Sequence, residues 1–465
     1  MSSRLIAISN RIPIGANASG GLVVALREAL AQSKGIWIGA HPDPGAGEER
    51  LEPVEGGAET RMAFRLTEEE MSDYYLGFAN SVLWPLCHRR VDLVDMQAAY
   101  ERSYRAVNAR VARLVAQMAR PDDVIWVHDY HFFPLAQELR ALGLTNRIGF
   151  FLHVPFPSLG DLSVLPKPDD FADWLADFDL LGFQTQGDVA RCLEMYRADP
   201  RAEFMMDGTV KMGSRITSVA AFPIGIETED FRAQAQEGGP NPFGREAPEW
   251  FIIGVDRLDY SKGIPGRFRA FGRYLETRPE GTRPCLVQIA PPTRDTVKAY
   301  QDITNELESI AGHLNGAFAE LDWTPFRYIH RKVERAKLAR LYRMAEACAV
   351  TSLADGMNLV AKEFVAAQDA DDPGVLILSR FAGAAEDMSA ALLVNPHDIE
   401  DMARAIGRAF EMPLAERQER NAALMEVVER TDVAQWADAF LSRLRKCPPT
   451  LFAPEPGDAG MKSAG

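Results

Sequence analysis

Two stretches of this chain carry residue types that suit the handling of phosphate. Arg257-Leu258-Asp259-Tyr260-Ser261-Lys262-Gly263 sets an arginine and a lysine close together. Arginine offers a planar fork for bidentate phosphate contacts, and lysine a compact point charge. The second stretch, Cys348 to Gln368 (CAVTSLADGMNLVAKEFVAAQ), reads as a buried strand, a turn containing Gly356, and then a helix. A strand feeding a helix through such a turn gathers unpaired N–H groups and the positive end of the helix dipole at one spot. Asp355 precedes that helix and Glu363 interrupts its apolar face of Leu359, Val360, Phe364 and Ala367. We read this as the place where a phosphorylated sugar donor is held; the plainer reading makes Asp355 a helix cap. Arg11 and Arg294 also stand beside strand ends, with ion pairing to residues such as Asp256 or Asp259 as the plain alternative for these cations. His128-Asp129-Tyr130-His131 is too short a loop for several metal ligands, and no other His/Cys set joins it. Sugar-hydroxyl recognition by Asp129 is the sharper reading there. Trp37, Tyr74, Tyr75, Trp84 and Trp126 offer rings that could line a sugar cleft, though core packing is the commoner use of an aromatic.

The elements that must position these residues alternate between strand and helix. Leu5 to Ile8 reads as the first buried strand, with Ser9-Asn10-Arg11 as the loop at its end. A helix follows from Leu22, and His41 to Thr60 reads as a surface excursion rich in Gly, Pro and Glu. Tyr100 to Met118 has helical spacing. Strands are expected at Val124–Val127, Ile148–Leu152 and Leu180–Gln184. The pattern restarts after Phe222, with further strands at Phe251–Val255, Cys285–Ile289, Phe326–His330, Ala347–Val350 and Val375–Leu378. Such alternation indicates α/β halves with parallel sheets, whose ligands sit at the carboxyl ends of the strands. The expected division is 1–225 and 226–430, then a helix over 431–446 marked by Val433, Trp436, Phe440, Leu441 and Leu444, and a flexible tail over 447–465.

Bulk properties narrow the function. The formal net charge of the 465 residues is −15, which disfavours nucleic acid and anionic membrane as partners. An anionic ligand must therefore be caught by a local basic pocket. The five cysteines are scattered without a CxxC pair, as in a reducing compartment. No apolar run approaches a membrane span, and the opening apolar run is too short for a signal peptide, so a cytoplasmic protein is expected. P-loop, G-x-S-x-G and H-E-x-x-H patterns are absent.

Read together, the motifs resemble a known family. Ser9-Asn10-Arg11, Ser19-Gly20-Gly21-Leu22, Leu83-Trp84-Pro85, VHDYH from Val127, FFLHVPFP from Phe150, LLGFQT from Leu180, FPIGI from Phe222, RLDYSKG from Arg257 and DGMNLVAKE from Asp355 stand in the order found in the trehalose-6-phosphate synthases. The resemblance spans roughly residues 4–446. It implies a GT-B fold, two Rossmann-like domains facing across a cleft with hinge motion between them and the last helix packing back on the first. It also implies retaining transfer of glucose from a nucleoside diphosphate, usually UDP, to glucose 6-phosphate. By the same resemblance Arg11, Tyr75, Trp84, Asp129 and Arg294 would hold the acceptor, the arginines on its phosphate. Gly20, Gly21, Arg257 and Lys262 would lie along the donor diphosphate, Val333 would meet the base through its backbone, and Asp355 the donor sugar. Leu359, Val360, Ala361, Lys362 and Glu363 would take the nucleotide end, with Glu363 on the ribose. His153 would approach the reacting carbon, and the reacting centre would comprise His153, Asp129, Arg257, Lys262 and Asp355.

The implied chemistry is front-face attack in which the leaving phosphate oxygen takes the acceptor proton. It needs no side-chain base, no cofactor and no metal. This sequence departs from the family at Ala40, where a second Trp is usual, at Ala354, where Arg is usual, and over Ser158–Leu162. These departures bear on selectivity. They keep open another phosphorylated acceptor such as glycerol 3-phosphate, another nucleotide donor, or a sensor without turnover; a homo-oligomer is also left open.

Overall fold

The computed structural model describes residues 3–14, 21–55, 59–244, 247–294 and 297–448. The chain forms two compact units. One comprises the described residues up to Pro223 together with those from Val433 on; the other is Ile224–Asp432.

The first unit is built on strands β1 (Leu5–Arg11), β2 (Ile36–Ala40), β3 (Glu52–Val54), β4 (Thr60–Phe64), β5 (Val124–His128), β6 (Arg147–Phe151), β7 (Leu180–Phe183), β8 (Ala202–Phe204), β9 (Val210–Met212) and β10 (Arg215–Ala221). They pair in the order β3-β4-β2-β1-β5-β6-β7-β10-β9-β8. The run from β4 to β10 is parallel, and only β3, β8 and β9 join antiparallel at the edges. Central strands such as β5 are buried at every residue, as helix-covered parallel strands must be, which is why they read as continuous apolar runs. The helix Val433–Lys446 lays Trp436, Phe440 and Leu444 on this sheet. Phe440 fits because Gly182 lacks a side chain: a Cβ there would stand 2.6 Å from the ring. Phe440 stacks on Trp126, with centroids 4.7 Å apart.

The second unit holds β11 (Trp250–Val255), β12 (Pro284–Ile289), β13 (Phe326–Ile329), β14 (Ala347–Val350), β15 (Val375–Ser379) and β16 (Leu392–Val394), all parallel, in the order β13-β12-β11-β14-β15-β16. This is the strand order of a dinucleotide-type Rossmann sheet.

The expected α/β class and parallel sheets are present, with differences of detail. Ser9-Asn10-Arg11 belongs to β1 rather than to a loop, and Arg11 pairs in register with Ala40. The excursion His41–Thr60 contains β3 and the start of β4. The strands β8, β9 and β16 are short and the longer β10 is only partly buried, so their side chains give no clear apolar run to read. A π-helix, Met71–Leu83, also went unforeseen. Its wide turns place Asn80 Nδ2 2.6 Å from the Tyr75 carbonyl and Ser81 Oγ 2.8 Å from that of Leu76. Such helices are rare and concentrate at functional sites.

Candidate active site

The parallel run of each sheet has one point from which the chain builds outward in both directions. In the first, β2 and β5 flank β1 on opposite sides; in the second, β12 and β14 flank β11. The carboxyl ends of the strands at such a point form a natural crevice. The candidate residues fall at both points.

In the first unit Arg11 ends β1 with an exposed side chain. Its guanidinium donates to Tyr75 Oη at 3.2 Å and lies 5.1 Å from the centroid of that ring. Tyr75, carried on the π-helix, stacks on His131. Trp84 directly follows the π-helix and is buried, with its ring against His88 and Tyr130. Asp129 follows the end of β5 at φ +74, a left-handed conformation that a non-glycine residue adopts at a cost. That turn lets its N–H donate to the Phe151 carbonyl at 2.8 Å while its carboxylate accepts from the His153 N–H at 3.2 Å. Asp129 and His153 are thus fixed to each other at the ends of β5 and β6. Burial pushes the half-buried His153 imidazole down to about 3, so it is neutral at physiological pH.

In the second unit the loop after β11 carries exposed Arg257 and buried Lys262. Lys262 Nζ lies 2.5 Å from Asp355 Oδ2, in the loop after β14. Gly263 makes the approach possible. It sits at φ +64, and a Cβ there would stand 2.1 Å from the Thr351 carbonyl oxygen. Asp355 is not a helix cap. The helix Leu359–Ala367 is preceded by Asn358 at φ +71, and Asp355 Oδ2 instead accepts from Ser352 Oγ at 3.1 Å and Asn358 Nδ2 at 3.0 Å as well as from Lys262. The Asn358 side chain makes no capping bond to the first turn of that helix. One turn in, half-buried Glu363 makes no hydrogen bond within the protein among the described residues, and burial pushes its carboxyl up to about 7 against the pull of Arg335. Leu359 and Val360 are half-buried beside it, and Ala361 is fully buried. The Lys362 ammonium turns away, donating to the Ile224 carbonyl at 2.7 Å and Thr431 Oγ1 at 3.0 Å. A donor contact at residue 362 is therefore left to the backbone. Val333 lies in the loop beyond β13, half-buried.

Arg294 is largely buried, at φ +52. Its guanidinium donates to Tyr300 Oη and lies 3.4 Å from Asp259 Oδ2, while Tyr300 Oη donates to the same carboxylate at 2.9 Å. The ion-pair alternative thus applies to Arg294, but in a buried network rather than on the surface. Asp256 belongs to a different pair, with Arg267. Gly20 lies outside the described residues, and Gly21 opens the helix Gly21–Ser33.

Of the aromatics, Trp37, Tyr74 and Trp126 are core residues with 1%, 0% and 0% exposure and line no cleft; Trp37 Nε1 donates to Ser9 Oγ at 2.8 Å. Sequence reasoning missed His128, whose Nδ1 stands 3.2 Å from His153 Nε2, and Tyr300, which orders Arg294. Place in the chain was the available signal for His128, the last residue of a strand just before Asp129. Nothing local distinguishes Tyr300 from any helix residue.

Comparison with known proteins places this arrangement among glycosyl transferases. Residues 9–446 match Glycosyltransferase family 20. A trehalose-6-phosphate synthase from Salmonella typhimurium is 42% identical over 454 residues, 96% of each chain. Among solved structures, the trehalose-6-phosphate protein from E. coli bound with UDP-2-fluoro glucose is 41% identical, covering 96% of this chain and 100% of that one, with a TM-score of 0.92. An α,α-trehalose-phosphate synthase (UDP-forming) from Burkholderia xenovorans in complex with glucose 6-phosphate is 43% identical, covering 95% and 100%, with a TM-score of 0.89.

Proposed function

Because this chain belongs to glycosyltransferase family 20, we propose that it transfers glucose, with retention, from UDP-glucose to glucose 6-phosphate, giving α,α-trehalose 6-phosphate and UDP. One observation carries the reading: the point from which each parallel run builds outward presents cationic side chains, Arg11 in the first and Arg257 with Lys262 in the second, in a chain that is otherwise acidic.

The second unit supplies the donor side. Breaking the sugar–diphosphate bond leaves negative charge on the diphosphate, and fixed cations stabilise that charge as it develops. Arg257 and Lys262 take this role together with the first turn of Leu359–Ala367. The Lys262–Asp355 pair does not conflict with it. An ammonium has three N–H donors. One stays on Asp355, which keeps the head group aimed, and the others remain for phosphate oxygens. Asp355 takes a donor-sugar hydroxyl. Glu363 accepts from the ribose hydroxyls, and Val333, Leu359, Val360, Ala361 and the Lys362 backbone hold the nucleotide end, with Gly20 and Gly21 on the diphosphate.

Arg11, Tyr75, Trp84, Asp129 and Arg294 hold the acceptor, the arginines on its phosphate. No side chain need act as base, because in front-face attack the departing phosphate oxygen gains negative charge and takes the proton that the acceptor hydroxyl loses as it bonds to the sugar carbon. His153 is a poor base in any case, since burial depresses its affinity for a proton. Cationic side chains do the charge stabilisation that a metal does elsewhere, so we infer that the enzyme needs neither metal nor cofactor. Among the described residues no helix is long and apolar enough to cross a membrane, which fits an enzyme that meets its phosphorylated substrates in the cytoplasm.

The test is UDP release in chelator-containing buffer. UDP-glucose with glucose 6-phosphate is expected to release UDP, and omission of the acceptor to abolish release. Release without acceptor would mean hydrolysis. Faster release with glycerol 3-phosphate or another nucleotide sugar would reassign the substrates.

A further inference from the structure

Two imidazoles meet in the first unit. β5 ends at His128, whose register partner on β6 is Phe151, so that His153 lies just past the neighbouring strand end. His128 Nδ1 stands 3.2 Å from His153 Nε2, with the ring planes 25° apart. At that distance one nitrogen must carry a hydrogen and the other a lone pair. Burial holds both rings neutral: it depresses His128 far below the usual histidine range, and His153 to about 3. That leaves two arrangements. Either His128 donates from Nδ1 and keeps a lone pair on Nε2, or His153 donates from Nε2 and His128 carries its hydrogen on Nε2.

The surroundings decide between them. His128 packs against Trp126 and Trp436, with centroids 4.5 Å and 6.4 Å away. Trp126 Nε1, Trp436 Nε1 and His128 Nε2 are all buried without a hydrogen-bond partner among the described residues. An indole nitrogen is a donor only. A hydrogen on His128 Nε2 would bury a third donor in a cluster that already lacks acceptors, and a stranded donor is expensive. A hydrogen on Nδ1 is instead used in the bond to His153, and the lone pair left on Nε2 sits in donor-rich surroundings.

We propose that His128 is a positioning residue for glucosyl transfer: by donating Nδ1–H to His153 Nε2, it forces the His153 hydrogen onto Nδ1 and makes that ring a hydrogen-bond donor toward the nucleotide sugar. The role rests on the reading of His153 as a donor-sugar contact. The His153 hydrogen bonds among the described residues are made by Nε2, to His128, and by its backbone N–H, to Asp129, and the ring is half-buried, so Nδ1 is the nitrogen left for a ligand. The tautomer of an imidazole is set by the bond its other nitrogen makes. Here that bond comes from a second histidine, held by the same neighbouring strand end. The Asp129 carboxylate fixes the His153 backbone from the other side. Ring and main chain are thus constrained separately.

Long-range proton–nitrogen NMR on histidine-labelled protein reads the tautomers directly. Both His128 and His153 are expected to carry hydrogen on Nδ1, with His128→Asn giving the assignment; a His153 protonated on Nε2 overturns the proposal. In kinetics, His128→Phe is expected to lower kcat for UDP release about tenfold, with KM for glucose 6-phosphate changed less than about twofold, as for a misoriented group at the reacting centre. His128→Asn, whose amide N–H stands where Nδ1–H does, is expected to restore most of that loss. A Phe variant as fast as wild type, or an Asn variant as slow as the Phe variant while melting at the wild-type temperature, overturns the role. A wild-type protein that releases no UDP overturns the transfer reading and this role with it, whereas wild-type release with an unaffected Phe variant overturns the role alone.

Discussion

Arg294 and Glu363 make the residue scale testable. Arg294 is held by Asp259 and Tyr300, which pre-orders the guanidinium at the cost of sharing its charge. A charge-assisted bond to phosphate contributes about 1.5–3 kcal/mol, so Arg294→Ala should raise KM for glucose 6-phosphate roughly ten- to a hundred-fold. Steady-state kinetics with glucose 6-phosphate and with free glucose checks this; an equal loss with both removes Arg294 as the phosphate anchor. Glu363 carries a sign that can be worked out. Its carboxyl titrates near 7 in the folded protein against 4.5 for the unperturbed group. Between those values the folded state keeps a proton that the unfolded chain has lost. Stability from this group therefore falls as pH rises from 4.5 through about 7. Ionisation, in contrast, improves the carboxylate as an acceptor for ribose hydroxyls, so KM for UDP-glucose should fall over the same rise. Glu363→Gln should flatten both trends; a KM that keeps its pH dependence in the Gln variant would place the titrating group elsewhere.

At the scale of elements, the Lys262–Asp355 pair depends on how two loops approach. Gly263 holds a left-handed conformation with its missing Cβ against the Thr351 carbonyl. Gly263→Ala should therefore cost about 1–3 kcal/mol in backbone strain alone. It should also move Lys262 away from Asp355, lowering kcat more than KM for glucose 6-phosphate. Thermal unfolding together with kinetics tests both parts, and a stable variant of unchanged kcat would show that the loop approach is not needed. The π-helix is a second case at this scale. It brings Tyr75 to Arg11 and ends at Trp84. No apolar period announces it, because a π-helix differs from an α-helix in its hydrogen-bond ladder rather than in its side-chain types.

At the scale of the whole molecule, each unit has its own sheet and core. A segment of residues 224–432 produced alone is expected to fold and to bind UDP, since Arg257, Lys262, Val333 and Glu363 all lie within it. It is not expected to transfer glucose. Residues 1–223 without the last helix should fold poorly, because Trp126, Phe151 and Gly182 lose the cover of Trp436 and Phe440. Circular dichroism and UDP calorimetry on the two segments check the contrast, and a well-folded 1–223 segment would contradict it.

The sequence by itself determined the α/β class, the parallel strands and the motif blocks. Fully buried strands must be apolar throughout, and the loops at their carboxyl ends must be free to carry polar side chains, so both features are written in local composition. The order of the strands, and hence the points from which the parallel runs build outward, was decided only by tertiary structure, because strand order depends on pairings between residues far apart in the chain. The same holds for the partners of each charge. Lys262 goes to Asp355, Arg294 to Asp259 and Tyr300, Lys362 away from the nucleotide end, and His153 to His128. A residue type states what bonds a side chain is able to make; which bond it makes is fixed by the strand ends and turns that bring one particular partner within reach.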